Sequence, residues 1–313
     1  MFDALSKTAF QVLGRSSTLK SLASRYGMRH PGSFARRFIA GENVEEAVEA
    51  ARQVERAGLL VTLDLLGEGV SSAEAALVAT RGYLAVMDAI EHAGVGRNIS
   101  LKLTQLGLGI DRATCIDNLR RILEVAAATG FFVRIDMESS AYTEATLDTF
   151  ETLWNTGYRN AGMVIQSYLK RSTGDLRRLN ALGARVRLVK GAYREPAAVA
   201  FQRKSDVDAA FVEQMKLLLR EGTYPAIATH DPAMITATQE FAAKNGLAKD
   251  TFEFQMLYGI RRDLQASLAK EGHPLRVYIP FGKEWFPYFM RRLGERPANV
   301  GFVIRSLTRE RRS

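Results

Sequence analysis

The stretch Leu59-Leu-Val-Thr-Leu-Asp-Leu-Leu66 is almost unbroken in its apolar character and directly follows a glycine. A short run of this kind, rich in leucine and valine, is typical of a strand that is buried on both faces, as in a parallel sheet. Residues 42–57 before it carry apolar side chains at helical spacing, and the serine pair at 71–72 caps a second helix predicted to reach about residue 93. The order helix, strand, helix predicts one unit of a parallel sheet covered by helices.

The same alternation of helix and strand is repeated along the rest of the chain. Further strands are predicted at residues 98–104, 131–137, 161–167, 185–190, 226–230, 251–257 and 276–280. Further helices are predicted at residues 111–129, 143–155, 174–182, 206–221, 231–244 and 261–270. Eight strands in alternation with helices, completed by the opening helix, predict the α/β class and a (β/α)8 TIM-type barrel.

The two ends of the chain differ from this regular part. Residues 1–40 precede the alternation and contain a Pro31-Gly32 break, which predicts an N-terminal extension of extra helices. Residues 41–313 are predicted to form the barrel as a catalytic domain with a basic C-terminal tail. One large domain is expected rather than two, because single-domain barrels of this length are well known.

The 313-residue chain has the composition of an ordinary globular protein, with 47% hydrophobic and 25% charged residues. It has no run of about 18 apolar residues, which excludes a transmembrane helix, and its start lacks the apolar core and cleavage site of a signal peptide. The single cysteine, Cys115, excludes an intramolecular disulfide and a cysteine-clustered metal site. These features predict a cytoplasmic location.

Basic residues outnumber acidic residues by 43 to 34, which gives a formal net charge of +9. Basic clusters lie in residues 25–37 and 305–312 and suit contact with anionic lipid or nucleic acid. No zinc-finger, RNA-recognition or P-loop pattern accompanies these ends, so no nucleic-acid partner is expected. Surface solubility is the simpler interpretation of the charge, and peripheral contact with the anionic inner face of the membrane is the second.

Each predicted strand ends in, or close to, a polar or charged residue. The carboxyl ends of the strands meet at one rim of such a barrel, and chemistry occurs there, so these side chains are expected to form a site. Asp64 and Gln166 also fit a purely structural role in binding loop amides, but the eight positions together favour a functional site. The set is Asp64, Lys102, Asp136, Gln166, Lys190, His230, Gln255 and Tyr278.

The residue types at this rim disfavour several reaction classes and leave two open. Only four histidines are present and only His230 lies on the predicted rim, so no metal site is expected. No Gly-x-Ser-x-Gly elbow marks a nucleophilic serine. Lys102 and Lys190 suit Schiff-base chemistry of the aldolase kind. Alternatively, arginine and lysine beside the glycine of Arg187-Leu-Val-Lys-Gly-Ala-Tyr193 suit an organic cofactor with phosphates.

The stretch Gly282-Lys-Glu-Trp-Phe-Pro-Tyr-Phe-Met-Arg-Arg-Leu-Gly-Glu-Arg-Pro-Ala-Asn299 predicts one more helix, beginning at about residue 284. Two guanidinium groups, a phenol and a carboxylate on one helix face suit a small zwitterion, whereas a solvated face with an arginine–glutamate pair is the alternative. Helical spacing places Phe286, Phe289, Met290 and Leu293 on the apolar face. It places Tyr288, Arg291, Arg292 and Glu295 on the polar face.

Seven segments in the right order, spanning roughly residues 40–305, resemble those of the proline dehydrogenase family, flavoenzymes with a distorted (β/α)8 barrel. The absence of further domains resembles the compact monofunctional bacterial form of that family. Asp231 stands where the family loop often has asparagine. The segments are Ser100-Leu-Lys-Leu103, Val133-Arg-Ile-Asp136, Arg187-Leu-Val-Lys-Gly-Ala-Tyr193, Ala228-Thr-His230, Phe252-Glu-Phe-Gln255, Tyr278-Ile-Pro-Phe-Gly282 and Tyr288-x-x-Arg-Arg-x-x-Glu295.

The resemblance implies that bound FAD oxidises L-proline to Δ1-pyrroline-5-carboxylate and that a membrane quinone reoxidises the reduced flavin. The residues implied in catalysis are Lys102, Asp136, Tyr278, Arg291, Arg292 and Glu295. Those implied in substrate binding are Lys102, Leu257, Tyr278, Tyr288, Arg291 and Arg292. Those implied in FAD binding are Asp136, Gln166, Arg187, Val189, Lys190, Gly191, Ala192, Thr229, His230 and Gln255.

Two expectations about charge follow from these roles. Lys102 beside two arginines should have a lowered pKa unless Asp136 pairs with it, and Glu295 and Asp136 should supply counter-charge. In the empty site, Arg291 and Arg292 should repel each other and lack a carboxylate, so the closing helix should loosen. A Schiff-base aldolase on the same barrel and a flavin-free amino-acid-binding protein are the alternative functions.

Overall fold

The computed structural model of the protein describes Met28 and residues 33–295, apart from the side chains of Phe34 and residues 293–295. Most of the predicted N-terminal extension and the whole basic tail therefore lie outside the described residues. The predicted boundary of the extension at residue 40 stays a prediction.

The eight strands form a closed barrel in which every strand is parallel to its neighbours and the spatial order is the chain order. The barrel closes where β1 pairs with β8 over the register Leu60 to Arg276 through Leu65 to Phe281. The strands are β1 (Leu60–Leu65), β2 (Asn98–Leu101), β3 (Phe132–Ile135), β4 (Ala161–Gln166), β5 (Arg185–Val189), β6 (Ala226–Ala228), β7 (Glu253–Leu257) and β8 (Leu275–Phe281). The predicted (β/α)8 fold is confirmed.

The helices alternate with the strands as the apolar periodicity predicts. They are α1 (Val44–Arg56), α2 (Ala73–Ala93), α3 (Arg112–Thr129), α4 (Thr143–Asn155), α5 (Ser172–Ala181), α6 (Lys204–Glu221), α7 (Pro232–Lys244), α8 (Arg262–Lys270) and α9 (Trp285–Glu295). Short 3-10 helices lie at Phe34–Arg37, Leu103–Leu106, Ser140–Tyr142 and Lys249–Thr251.

Helix starts follow local capping chemistry. The side chains of Ser72, Asp111 and Asp231 accept hydrogen bonds from backbone N–H groups in the first turns of α2, α3 and α7. Gly94 ends α2 in the left-handed conformation, at φ 68°, which a glycine adopts without a steric penalty. These signals act within a few residues, and this is why the sequence predicts most boundaries closely.

Three predicted strands extend two or more residues past the observed strand, and the one predicted at residues 131–137 stops at Ile135. The strand predicted at residues 98–104 stops at Leu101, and a 3-10 turn follows at Leu103–Leu106. The strand predicted at residues 226–230 stops at Ala228. Residues past the rim belong to the loops around the site. There the Thr104 N–H donates to the side chain of Glu138 at 3.1 Å, whereas the Thr229 N–H still donates to the backbone carbonyl of Gln255 in β7 at 3.2 Å.

Helices α1 and α9 depart from the regular alternation on the barrel wall. Helix α1 packs against both β1 and β8 and so covers the seam at which the barrel closes. Helix α9 packs its aromatic residues Phe286 and Phe289 with Phe38 and Leu66, in a cluster that Tyr278 of β8 also contacts. The final helix therefore lies at the carboxyl ends of the strands, where it covers the mouth of the barrel.

The interior of the barrel is polar. Thr62 and Ser100 lie within hydrogen-bonding distance, 3.2 Å apart, and Ser100 also accepts a hydrogen bond from Arg187 at 3.1 Å. Arg276 donates two hydrogen bonds to the buried carboxylate of Glu253, at 2.9 and 3.0 Å. The apolar core lies between the strands and the surrounding helices, whereas the space inside the strands holds charged groups that pair with one another.

Candidate active site

A cavity of about 620 Å3 opens at the carboxyl ends of the strands, below helix α9. Its lining contains seven of the eight strand-end residues predicted from the sequence, together with Tyr288, Arg291 and Arg292 of α9. Leu257, Arg187, Thr229 and the segment 189–192 also line it. The predicted site residues thus come together around one cavity. The seven strand-end residues are Lys102, Asp136, Gln166, Lys190, His230, Gln255 and Tyr278.

Lys102 lies at the centre of a buried ion cluster. Its Nζ lies 3.3 Å from Asp64 Oδ2 and 3.9 Å from Asp136 Oδ2. Burial alone would lower the pKa of Lys102, but the charges of these two carboxylates outweigh it and raise the pKa well above its usual value. The lowered pKa expected for an unpaired Lys102 does not occur, because Asp136 and Asp64 both pair with it. Asp64, fully buried beneath the cavity, is thus a counter-charge to the lysine.

Asp136 connects Lys102 to the other side of the barrel mouth. Its Oδ1 accepts a hydrogen bond from Arg187 at 2.9 Å, and its Oδ2 accepts one from the Tyr278 hydroxyl at 2.9 Å. Burial and the charge of Asp136 raise the pKa of Tyr278 well above its usual value, so the phenol stays a neutral donor. The Arg187 guanidinium also lies over the Tyr278 ring, 5.4 Å from its centroid.

Arg291 is held by a carboxylate that the sequence analysis did not assign. Its two terminal nitrogens lie 2.6 and 3.2 Å from the two oxygens of Glu68 in the loop after β1. Burial would lower the pKa of Arg291, but the Glu68 charge outweighs it and raises the pKa. The expectation that this arginine lacks a carboxylate in the empty site is therefore wrong, because barrel closure places the β1 loop opposite α9.

Arg292 and Tyr288 occupy the same face of α9. The Arg292 guanidinium lies over the Tyr288 ring at 5.1 Å, and both side chains are largely buried. Phe286, Phe289 and Met290 are buried in the aromatic cluster, as helical spacing predicts, and Tyr288 belongs to the same cluster. The side chain of Leu293 lies outside the described residues. The side chain of Glu295 lies outside the described residues, so its assigned role stays a prediction.

The other half of the cavity lies around β5, β6 and β7. Lys190 pairs with Asp231 at 2.7 Å and also with Asp208, and Lys204 pairs with the same two carboxylates. Each of these four side chains is at least a fifth exposed. The strand-end lysine on this side thus belongs to a hydrated network of alternating charges.

Gly191 follows Lys190 at a place where only glycine fits. Its φ of 118° lies in the region that glycine favours, and a Cβ there would overlap the ring of Tyr168. Gly191 itself is part of the cavity lining, together with Lys190 and Ala192. The glycine thus lets this segment pack against Tyr168 and still border the cavity.

Neutral polar side chains complete this half. Gln166 donates a hydrogen bond to the backbone carbonyl of Glu138 at 2.8 Å, which agrees with the structural role in binding loop amides that was considered for it. Its side chain also lines the cavity. His230 Nε2 accepts a hydrogen bond from the Leu257 N–H at 2.9 Å. The neutral ring therefore carries its proton on Nδ1.

Two buried polar atoms at the cavity have no hydrogen-bond partner among the described residues, namely Arg187 Nε and Gln255 Oε1. One is a donor and the other an acceptor, and both side chains line the cavity. A buried polar group without a partner costs free energy unless a ligand or a water satisfies it. These atoms fit a bound cofactor that carries both donors and acceptors.

Three residues with an evident place at the site were not assigned from the sequence. Glu68 lies between two glycines in the loop after the first strand, and that position was the only signal for it. Tyr193 lines the cavity and belongs to the quoted segment that begins at Arg187, yet no role was given to it. Asp208 lies in the first turns of α6 and is recognisable only through its contact with Lys190.

Comparison with known proteins agrees with this arrangement. Residues 47–305 match the family model described as proline dehydrogenase. The chain is 42% identical over 302 residues to proline dehydrogenase 1 of Bacillus subtilis, covering 96% of this chain and 98% of the relative. It is 39% identical over 311 residues to proline dehydrogenase of Deinococcus radiodurans, covering 98% of this chain and 99% of the relative.

A solved structure is similar as well. The chain superposes on proline utilization A from Bdellovibrio bacteriovorus, inactivated by N-propargylglycine, with a TM-score of 0.78 and 27% identity. The match covers 83% of this chain and 32% of that one. The family model and the compact relatives extend over the strand-end residues and α9 together. The chain therefore belongs to the proline dehydrogenase family, whose members are oxidoreductases.

Proposed function

We propose that the chain oxidises L-proline to Δ1-pyrroline-5-carboxylate with bound FAD, and that a membrane quinone reoxidises the flavin. The observation that carries this proposal is the arrangement of three cations around one cavity. Lys102 directly follows β2, Arg291 and Arg292 belong to α9, and the aromatic side chains of Tyr193, Tyr278 and Tyr288 line the same cavity. Such a cavity suits a small amino acid whose carboxylate is its only anionic group.

In this proposal the carboxylate of proline binds Arg291 and Arg292, with Lys102 as the third positive charge. Arginine suits this role because its planar fork matches the two carboxylate oxygens. Tyr278, Tyr288 and Leu257 line the same cavity and would contact the apolar ring. Shape and charge then act together, as small ligands require.

Two of the three cations already pair with carboxylates of the chain itself. Lys102 has Asp64 and Asp136, and Arg291 has Glu68. An incoming carboxylate must therefore share Arg291 with Glu68 or displace Glu68 from it. Arg291 can exchange its partner for the substrate more easily than Lys102 can. Glu68, the partner of Arg291, lies in an exposed loop, whereas Asp64, a partner of Lys102, is fully buried.

FAD fits the other half of the cavity. Arg187 Nε offers a buried donor and Gln255 Oε1 a buried acceptor, and Gly191 lines the cavity. Lys190, Thr229 and the ring of His230 would add polar contacts to the diphosphate and ribityl parts. Asp136, Gln166, Val189 and Ala192 line the same half or its edge.

When bound, FAD supplies the acceptor for the hydride that leaves the ring carbon next to the proline nitrogen. The residues of the chain contribute mainly by holding the substrate in position. Asp136 accepts hydrogen bonds from both Arg187 and Tyr278. It therefore fixes the position of Arg187, the proposed donor to the cofactor, relative to Tyr278, which is proposed to contact the substrate. Glu295 is proposed to complete the counter-charge on α9.

The Schiff-base alternative finds little support at the strand-end lysines. A lysine nucleophile must be neutral to attack a carbonyl group. Lys102 pairs with two carboxylates that raise its pKa, and Lys190 also pairs with two. Lys102 is therefore stabilised in the charged form, and the carboxylates around Lys190 occupy its amine as hydrogen-bond partners, so both lysines suit a role in binding better than one as a nucleophile.

The quinone and the membrane enter the proposal through the basic ends of the chain. Within the part of the chain that the structure describes, no helix is both long and apolar enough to cross a bilayer. The arginines at 305–312 lie outside the described residues, and each basic residue near an anionic surface contributes about 1 kcal/mol. We propose that these residues bring the protein to the membrane that holds the quinone.

The absorption spectrum of the purified chain tests the cofactor and the substrate together. We expect flavin bands in the visible region and their bleaching when L-proline is added without oxygen. The amount of Δ1-pyrroline-5-carboxylate that is trapped should equal the amount of flavin that is reduced. A purified chain that cannot be loaded with FAD, or whose flavin is not reduced by L-proline, would contradict the proposal.

A vesicle experiment tests the membrane part separately. The full chain should sediment with anionic vesicles at low salt and be released at high salt, because the attraction is electrostatic. A chain truncated after residue 305 should stay in solution and keep its dye-linked turnover of proline. Equal sedimentation of both chains would remove the tail from the proposal.

A further inference from the structure

Glu253 is a buried carboxylate that the proposed mechanism does not use. It begins β7, is 1% exposed and lies inside the barrel, below the cavity. Its oxygens accept two hydrogen bonds from Arg276, at 2.9 and 3.0 Å, and one from the Nε2 of Gln255. Glu253 therefore connects the floor of the barrel to a side chain that lines the cavity.

The contact with Glu253 decides which end of the Gln255 amide faces the cavity. The amide has a donor end and an acceptor end of almost the same shape, so packing alone does not distinguish them. Because Nε2 donates to Glu253, the oxygen Oε1 is directed elsewhere. This Oε1 is buried and has no hydrogen-bond partner among the residues that the structure describes, and Gln255 is part of the cavity lining.

Glu253 holds this orientation because it remains ionised. Burial by itself would raise the pKa of Glu253, but the charge and hydrogen bonds of Arg276, the hydrogen bond from Gln255 and the charge of Arg134 lower it below its usual value. An ionised carboxylate only accepts hydrogen bonds. Turning the amide would bring Gln255 Oε1 against this carboxylate, and two acceptors would then face each other.

We propose that Glu253 is a positioning residue for the cofactor: it fixes Gln255 so that Oε1 accepts a hydrogen bond from the imide N–H of the flavin ring. This inference rests on the proposed function, since it requires bound FAD. The imide is the N–H group of the oxidised ring, and it needs an acceptor. The carboxylates of Asp136 and Asp231 in the cavity lining already accept from Arg187 and Lys190, whereas the buried Gln255 Oε1 has no hydrogen-bond partner among the described residues. Gln255 provides such an acceptor beside the donor Arg187.

The role of Glu253 can be separated from a general effect on stability by a double-mutant cycle. The variants are Glu253→Gln, Gln255→Met and the two combined, in the full-length chain. The dissociation constant for FAD is measured from the quenching of flavin fluorescence on titration with the protein. Glu253→Gln should weaken FAD binding about 3- to 10-fold, because its amide can donate to Gln255 and let that side chain turn. Gln255→Met should weaken FAD binding to a similar extent.

The combined variant gives the decisive measurement. If Glu253 acts through Gln255, adding Glu253→Gln to Gln255→Met should change the dissociation constant less than twofold. If the two single effects multiply instead, or if Glu253→Gln leaves FAD binding unchanged, the inference is overturned. A wild-type chain that binds no FAD would overturn both the proposed function and this inference, whereas multiplicative effects would overturn the inference alone.

Two further variants control for folding and for glutamate–glutamine pairs in general. Glu271→Gln removes a carboxylate that accepts from Gln239 at 2.8 Å on the exposed surface, and it should leave the FAD constant unchanged. Should Glu253→Gln fail to fold, Glu253→Met with Arg276→Met removes the buried charge together with its partner. That pair should still weaken FAD binding about 3- to 10-fold, and no weakening in the folded pair would overturn the inference.

Discussion

The two halves of the cavity each contain a strand-end lysine between two carboxylates, and they differ mainly in burial. The Lys102 side chain is 7% exposed and pairs with Asp64, which is 0% exposed. The Lys190 side chain is 26% exposed, and its partner Asp231 is exposed to the same degree. The same combination of charges is therefore almost fully buried in the half proposed to bind the substrate (the substrate half) and hydrated in the half proposed to bind the cofactor (the cofactor half).

This difference shows that the contribution of an ion pair to stability cannot be judged from the identity of its residues alone. Water screens the pair around Lys190 and can solvate either partner if the other is removed. Little water reaches the buried pair of Lys102 and Asp64, so loss of one partner leaves the other as a buried charge without compensation. The substrate half should be rigid and sensitive to substitution, and the cofactor half should tolerate it better.

The largest expected effect is on stability, from removal of Lys102. Lys102→Met should lower the free energy of unfolding by about 3–5 kcal/mol, because Asp64 is left buried without its counter-charge. The matched control Lys190→Met should lower it by about 1 kcal/mol or less. Urea unfolding of both chains measures the difference, and equal shifts in the two midpoints would break the comparison.

The next effect concerns the arginines of α9. Arg291→Met or Arg292→Met should raise the KM for L-proline about 30- to 1000-fold while FAD stays bound, because a charge-assisted bond of about 2–4 kcal/mol is left unmade in a closed pocket. Steady-state kinetics and the flavin spectrum give the two quantities. An unchanged KM in both variants would remove these arginines from the substrate half.

A smaller effect is expected at the contact between α9 and the β1 loop. Glu68→Gln removes the carboxylate that holds Arg291, a pair with side chains 16% and 32% exposed. Amides of 286–295 should then exchange up to about fivefold faster, since a partly exposed pair contributes about 1 kcal/mol or less. Hydrogen exchange followed by mass spectrometry tests this.

A carboxylate analogue of proline sharpens the same measurement. It should slow exchange in α9 of both the wild type and Glu68→Gln, and more strongly than in the strands, because the ligand replaces the lost partner. If the α9 amides are fully protected without any ligand, the helix is a fixed wall and access to the cavity lies elsewhere.

The smallest effect is expected at Asp231 on the cofactor side. Asp231 caps α7 by accepting from the Ala233 N–H at 3.1 Å and also pairs with Lys190. Asp231→Asn keeps an equally good cap and loses only a hydrated charge, so the free energy of unfolding should change by about 1 kcal/mol or less. Thermal and urea unfolding measure it, and a loss similar to that of Lys102→Met would show that this half is as rigid as the other.

Much of this site was accessible from the sequence. The alternating apolar runs predict the parallel barrel, and the barrel places the residues that follow each strand on one rim. Helical spacing predicts that Tyr288, Arg291 and Arg292 share a face, and the structure brings that face to the cavity. These inferences hold because they depend on periodicity and chain order, which are local properties.

The pairing of charges was less accessible. Asp136 was assigned a partner in Lys102, but Asp64 and Glu68 were not recognised as the counter-charges of Lys102 and Arg291. Glu68 and Arg291 are 223 positions apart in the chain. No local pattern relates residues so distant, and only the closure of β1 against β8 brings the two loops together.

The sequence by itself determined the order of strands and helices, the set of polar residues at the rim and the polar face of the last helix. It also carried the resemblance to the proline dehydrogenase family. The tertiary structure alone decided that α9 covers the mouth of the barrel, that Asp64 pairs with Lys102 and that Glu253 accepts a hydrogen bond from Gln255. The physical reason is that composition and periodicity specify which faces are buried, whereas the energy of a charge depends on its neighbours and its access to water, and both are set by the closed barrel.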